Sequence, residues 1–332
     1  MPKITVLTTF FNSEKTLEEC IESILNQSFS DFEFILVDDG STDNSLEILE
    51  SYQDERISLI RSNHIGRAQA LNLGLKNSKG KYVAILDADD ESLPERLSEQ
   101  FFVLENENIS LVASNANLVN ECGDKFGQTN FPLNHDELVS KLLKLEPFPH
   151  SSVMFSKEMA INLGGYNKRC LKSIDFNFYL EIIQAKLKIL CLEKSLINLR
   201  RHPGSWGVSD EKSLQLFYGF LGLTFYFLTS KNKRNIMCKD DHEFLLFENL
   251  LSEWFYSSKI YKNSKAKKYF FEARVSFMKL DLRSFFKSSL KAANMDPAFF
   301  TYRGAGFDEK DILSFLGYAS RESEEARRII ND

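Results

Sequence analysis

Three carboxylates stand together at Asp87, Asp89 and Asp90, directly after the apolar run Tyr82-Val83-Ala84-Ile85-Leu86. Crowded groups of one charge repel, so such a cluster is unfavourable unless a cation sits among them. Hard oxygen ligands suit Mg²⁺ or Mn²⁺, ions that keep positions open for a substrate's phosphates. Open α/β sheets bind ligands outside the carboxyl ends of their strands, which is where these side chains fall. The competing reading is a solvated acidic turn after a buried strand, and the elements upstream decide between the two.

Ile4–Phe10 is apolar and β-branched and reads as a first strand. Leu17, Cys20, Ile21, Ile24 and Leu25 recur at the spacing of one helix face. Phe32–Val37 is a second strand, ending at Asp38-Asp39-Gly40-Ser41. A helix over 44–51, a short strand Ile57–Ile60 and a helix around Ala68–Leu75 lead through Gly80 to the strand before Asp87. Alternating strands and helices predict a largely parallel sheet with right-handed crossovers. Two strands then deliver carboxylates, Asp38-Asp39 and Asp87–Asp90, to one edge of one sheet. That pattern describes a site rather than a turn.

The segments Thr8-Thr9-Phe10-Phe11-Asn12, Ser23–Phe29 and Val37-Asp38-Asp39-Gly40-Ser41-Thr42-Asp43 resemble the family 2 glycosyltransferases. Asn72, Gly80–Val83, Leu86–Asp90 and Leu163-Gly164-Gly165-Tyr166-Asn167 extend the resemblance in the family's order and spacing. It implies the GT-A fold, a Rossmann-like, mostly parallel sheet flanked by helices, and inverting transfer from a nucleotide-diphosphate sugar. On the same resemblance Asp89 is a direct ligand of Mn²⁺ or Mg²⁺, with Asp87 on the ribose or the metal. Asp39 accepts from the base's N–H, and Thr9 and Phe11 line the base pocket; apart from the resemblance, Arg67 follows Gly66 in a loop, from which it could reach a phosphate. Two of these have plainer alternatives: Phe11 as a core aromatic, Arg67 as a solvated cation. Asp38 suits the turn, since Asp at a strand end bonds nearby backbone.

Inversion also needs a general base for the acceptor hydroxyl, a task that suits a carboxylate in a dry site. The family places it in a Glu-Asp pair after the Gly-Gly-Tyr segment. Here that stretch is Ser173-Ile174-Asp175-Phe176, which makes Asp175 the implied base, with Ile174 replacing Glu and Tyr179 standing where Trp is frequent. Asp175 equally suits the cap of a helix over Phe176–Gln184. Farther on, Leu199-Arg200-Arg201-His202-Pro203-Gly204-Ser205 resembles the family's Arg-x-His-x-x-Ser element. It implies that His202 approaches the metal or pyrophosphate and that the arginines offset phosphate charge. A loop histidine without a chemical role is the alternative. His150 precedes the strand Val153–Phe155 and is assigned to the acceptor side.

The net charge of −6 gives no footing for a general nucleic-acid binder. Five cysteines lie far apart with no Cys-x-x-Cys pair, which argues against a zinc site or disulfide framework and fits a reducing cytosol. The amino terminus runs straight into the first strand, so no signal peptide is expected. Leu214–Leu228, the most apolar stretch, falls short of the roughly twenty residues that span a bilayer and reads as a buried helix joining two domains. The basic run Lys231–Arg234 leaves peripheral contact with the inner face of the cell membrane open.

Two domains are expected, a catalytic 1–208 and a helical 209–332 for acceptor contact or self-association into a homo-oligomer. Within the second, Phe244, Phe247, Leu250, Leu251, Trp254 and Phe255 repeat at helical spacing and read as core. Ala266–Pro297 resembles one tetratricopeptide helix pair, and the tail after Gly304 reads as a final charged helix.

The expected activity is metal-dependent inverting transfer from a nucleotide-diphosphate sugar to a glycan or lipid-linked acceptor, in surface polysaccharide synthesis and in the cytoplasm. Uridine diphosphate is the favoured carrier, because a carboxylate suits the uracil N–H, although guanine offers one too. A nucleotidyltransferase would carry a glycine-rich basic loop after the first strand, and Thr8–Asn12 is no such loop. A non-catalytic sugar-nucleotide or glycan-binding module has Ile174 as its only support.

Overall fold

The computed structural model describes residues 1–132, 134–144, 148–201, 211–232, 241–257 and 309–331. The chain divides into two compact units, Met1–Leu142 with Glu146–Arg201, and Leu143–Leu145 with His202–Asp332. The first unit begins β1 (Ile4–Phe10), α1 (Leu17–Leu25), β2 (Phe32–Asp38), α2 (Ser45–Glu50), β3 (Ile57–Arg61), α3 (Arg67–Asn77) and β4 (Tyr82–Ile85). After the acidic turn come β5 (Glu91–Ser92), α4 (Arg96–Asn106), β6 (Leu111–Val119), β7 (Lys125–Gln128) and α5 (His135–Leu142). A short 3-10 turn (His150–Ser152) then leads into β8 (Met154–Ser156), α6 (Lys157–Asn162), α7 (Ile174–Gln184) and β9 (Ile189–Arg200).

These strands form one sheet in the order β3-β2-β1-β4-β8-β6-β9-β5, with β7 paired to β6. The expected parallel pairing holds through β3, β2, β1 and β4. Beyond β4 the sheet is mixed, because β8 starts from the 3-10 turn beside Asp87 and must run back along β4. β6 joins β8 antiparallel and β9 parallel.

The reason for the parallel half lies in its strands. β2 is buried along its whole length, as a central parallel strand covered on both faces should be. On α1, Leu17, Cys20, Ile21 and Ile24 are all buried against that sheet, the face that the 3.6-residue period predicts. The crossover from α3 into β4 is tight. Thr5 Oγ1 donates to Glu33 at 2.6 Å and accepts from Gly80 N at 2.9 Å. A Cβ on Gly80 would meet Thr5 N at 2.4 Å and the Ile4 carbonyl carbon at 2.6 Å, so only glycine fits against β1.

In the second unit the described helices are α8 (Glu211–Asn232), α9 (Asp241–Ser257), α10 (Glu309–Glu322) and α11 (Glu324–Asn331). The aromatic stripe on α9 is core: Phe244, Phe247, Leu251 and Phe255 are buried. Rings of α8 and α9 meet at Phe217–Phe255 (5.6 Å) and Phe220–Trp254 (5.4 Å), and Phe315 of α10 joins them at Trp254 (5.5 Å). α8 is longer than the apolar stretch that marks it, and no described helix is long and apolar enough to cross a membrane. The charged tail is broken at Ser323, whose Oγ accepts from Ala326 N at 3.2 Å and so starts a separate helix. Ala266–Pro297 lies outside the described residues.

Replacing Gly80 with Ala forces backbone against backbone, a form of overpacking that costs about 1–3 kcal/mol. Urea unfolding of Gly80→Ala should show a lower midpoint with an unchanged slope. An unaltered midpoint would mean that the crossover relaxes freely.

Candidate active site

The acidic turn follows β4 where β4 and β8 part. Hydroxyls hold its backbone from below: Thr8 Oγ1 donates to Leu86 O at 2.8 Å and Thr16 Oγ1 to Ala88 O at 2.8 Å. Ser151 Oγ accepts from Asp87 N at 3.1 Å and donates to Asp90 Oδ2. One carboxylate oxygen from each of Asp87, Asp89 and Asp90 can be drawn into a group no wider than 4.8 Å, with Asp90 buried and the others half-buried. Asp90 Oδ1 also accepts from Arg200 N at 2.7 Å.

The three carboxylates titrate differently because their surroundings differ. Burial, and then the charges of Asp89 and Asp87, push the Asp90 carboxyl well above the usual carboxylate range. Burial would raise Asp87 too, but the charge of the Arg67 guanidinium, the foremost opposing cause, holds that carboxyl below its usual range. Arg67 Nη2 lies 2.5 Å from Asp87 Oδ1 and donates to His150 Nδ1 at 3.1 Å. A guanidinium only donates, so His150 Nδ1 accepts, and Nε2–H donates to Tyr166 Oη at 2.9 Å. Arg67 is therefore no merely solvated cation. It is paired with Asp87, and the charges of Asp175 and Asp89 also bear on it.

The parallel register puts the ends of β1 and β2 on the same edge as the acidic turn. Asp38 Oδ1 accepts from Ser41 N at 2.9 Å, the turn-forming alternative. Asp39 accepts at Oδ1 from Ser62 Oγ (2.8 Å) and Ile65 N (2.7 Å), and at Oδ2 from Gly66 N (2.9 Å). Its carboxylate thus fixes the loop that starts α3 and presents Arg67. Phe11 is no core aromatic, being 45% exposed, and its ring pairs with His64 at 4.5 Å. Thr9 is half-buried in β1, opposite Val37.

Asp175 lies inside the first turn of α7, which starts at Ile174, so it is not the residue that precedes and caps the helix. That residue is Ser173, in a left-handed conformation and without a side-chain cap. After burial itself, the charge of Asp175 is the next cause that lifts the Tyr179 hydroxyl, and it also bears on Tyr166. Tyr166 is held by Asn72, which donates to its carbonyl at 2.7 Å and accepts from its N–H at 2.8 Å. A Cβ on Gly165 would meet that Asn72 oxygen at 2.4 Å, and φ of +73° favours glycine there as well.

One expectation changes. Arg200 does not offer its charge to a phosphate: it is buried, bonded to Asp89 O (3.0 Å), Glu121 O (2.9 Å), Glu91 (3.0 Å) and Glu19. It braces the turn from behind. His202 lies outside the described residues. His150 was legible only as a histidine ahead of a strand, and Asp90 only as the third carboxylate; their contacts depend on β8 running beside β4.

A half-parallel sheet ending in an acidic turn, with a second carboxylate-bearing strand end beside it, is the arrangement that the resemblance to a GT-A fold leads one to expect. Residues 5–164 match Glycosyl transferase family 2. An uncharacterized glycosyltransferase of Methanocaldococcus jannaschii is 34% identical over 203 residues, covering 59% of this chain and 69% of its own. The O-antigen biosynthesis glycosyltransferase WbnJ of Escherichia coli is 30% identical, over 65% of this chain and 84% of its own. The crystal structure of S. aureus TarS 1-349 in complex with UDP-GlcNAc superposes with a TM-score of 0.59 at 18% identity, covering 92% of this chain and 94% of that one. The chain belongs to glycosyl transferase family 2 and is a glycosyltransferase.

The Arg67–Asp87 pair gives a pH signature. A carboxyl whose folded pKa is depressed contributes stability that is present above its unfolded value, about 3.9, and lost as the pH falls through the folded value. The stability difference between wild type and Arg67→Met should therefore be present at pH 7 and shrink steadily below pH of about 4. Denaturant titrations across that range check it; a difference that persists at the acid end would place the contribution of Arg67 elsewhere.

Proposed function

We propose that the enzyme transfers a sugar from a uridine-diphosphate sugar to a hydroxyl of a glycan or lipid-linked glycan, with inversion and with a divalent cation. The observation that carries this reading is the approach of three carboxylates beside Arg67, on the sheet edge that also presents Asp39 and Phe11. The donor set fits Mn²⁺ or Mg²⁺: all its ligands are hard oxygens, and three carboxylates with oxygens within 4.8 Å of one another crowd negative charge that a cation would relieve. Asp89 and Asp87 would hold the ion, while Asp90 keeps to Ser151 and Arg200. When bound, the cation offsets the negative charge that grows on the departing diphosphate.

The chain's own residues do the rest. Arg67, paired with Asp87 and under the charge of Asp175, is placed to meet the diphosphate. Phe11 and Thr9 border the base, and Asp39, whose Oδ2 accepts a single bond from Gly66, has acceptor capacity left for a base N–H. Asp175 takes the proton of the acceptor hydroxyl as it attacks. UDP as carrier is supported by the UDP-GlcNAc complex of the S. aureus neighbour, and surface polysaccharide as product by the O-antigen role of the E. coli relative. A lipid-linked acceptor brings the enzyme to the inner face of the cell membrane, with the helical unit serving acceptor contact or self-association.

Calorimetric titration of UDP with and without Mn²⁺ tests the donor half. Asp89→Asn should abolish the metal-dependent part of binding, and unchanged affinity would remove Asp89 from the metal site. Asp175→Asn should bind UDP like wild type while transfer drops by about a hundredfold or more, the usual size of a general-base effect. Transfer that survives this change would place the base on another residue.

A further inference from the structure

Helix α4 opens with Arg96, a guanidinium without exposed surface. Taking a cation out of water is costly, and the cost is normally met by a contacting carboxylate. Among the described residues Arg96 has none. Its Nη2 donates to Ile85 O at 2.7 Å and Val153 O at 3.1 Å, and its Nε donates to Gln100 Oε1 at 3.0 Å. Its Nη1 has no hydrogen-bond partner among the described residues.

The acceptors of Arg96 mark a place. Ile85 is the last residue of β4, two before Asp87, and Val153 is the residue after the 3-10 turn. Ile85 N donates to Val153 O at 3.0 Å, closing the strand pair just before its two chains part. One chain continues to the acidic turn and the other leads back to Ser151, which bonds both Asp87 N and Asp90. Gln100 extends the grip, donating to Ser152 O at 2.7 Å and Val112 O at 3.3 Å. Arg96 and Gln100, one helical turn apart, thus fill the fork behind the carboxylates.

The electrostatics agree with the geometry. Burial pulls the Arg96 guanidinium down to about 9, while Asp90, Cys20 and Asp87 hold it up, so it remains charged at neutral pH. A cation that acts through carbonyls at one remove steadies crowded carboxylates without taking their oxygens. A direct salt bridge, such as that of Arg67 to Asp87, occupies a carboxylate oxygen.

We propose that Arg96, clamped on Ile85 O, Val153 O and Gln100 at the fork of β4 and β8, is the positioning residue that sets the Asp87–Asp90 turn against Ser151 for a divalent cation without itself taking a carboxylate oxygen. This rests on the metal-dependent reading of that turn. Arg96→Lys keeps the charge but cannot span both carbonyls, and Gln100→Met is a milder change that keeps Arg96. Mn²⁺ is titrated calorimetrically into each protein with saturating UDP, well below its melting temperature.

Loss of a residue that orients metal ligands typically weakens metal binding about ten- to a hundredfold. Arg96→Lys should fall in that range and Gln100→Met toward its lower end, with KM for the donor rising in parallel. A purely structural role would lower the melting temperature and leave Mn²⁺ affinity of the folded molecules unchanged. Wild-type affinity in both variants would therefore overturn the role of Arg96. A wild-type protein that binds no Mn²⁺ would instead overturn the metal reading on which it stands.

Discussion

Repulsion among three carboxylates in one short turn is the constraint around which the first unit is arranged. The chain answers it from several directions. Arg67 comes from the front at the start of α3, while Ser151 and the Arg200 N–H meet Asp90 from the side. Arg96 lies behind, fully buried. These contacts separate the carboxyls electrically, so that Asp87 holds its charge tightly and Asp90 gives its charge up readily. Pairs of like groups driven apart in this way are a usual mark of sites that perform chemistry.

The carboxylates at the neighbouring strand end meet a different demand. Asp38 and Asp39 bond backbone N–H groups of the loops around them and so make those loops part of the sheet edge. Asn12 does the same across the gap, accepting from Thr42 N at 2.8 Å, while its own N–H donates to Ser41 Oγ. The surface beside Phe11 is thus built from loops, yet these loops are tied down by charged and polar anchors. Loops fixed in this way can present a ring at a constant position without an exposed apolar core.

Much of this was legible because the informative residues lie where periodicity changes. Apolar runs that stop at Asp38 and Asp87 mark strand ends, and the face of α1 follows from spacing alone. The mixed half of the sheet was not legible. β6 and β9 pair over seventy or more positions of separation, and nothing in Leu111–Val119 says which partner it takes. Arg96 was invisible for a related reason: an arginine at a helix start looks solvated until β4 and β8 are known to part above it. Arg200 misled because a basic pair beside a histidine suggests phosphate, whereas burial and the carboxylates around it commit this guanidinium inward.

α3 carries Arg67 at its first residue and Asn72 near its middle, and these two side chains attach it to two different segments. One meets Asp87; the other grips the backbone of Tyr166, whose hydroxyl returns to His150. A single helix is stiff along its axis, so the distance between those two attachments is set by its rise rather than by any loop. Loops elsewhere in the domain therefore do not set the span between the Asp87 and Tyr166 attachments. In this molecule α3 is the ruler between the acidic turn and the Gly-Gly-Tyr segment.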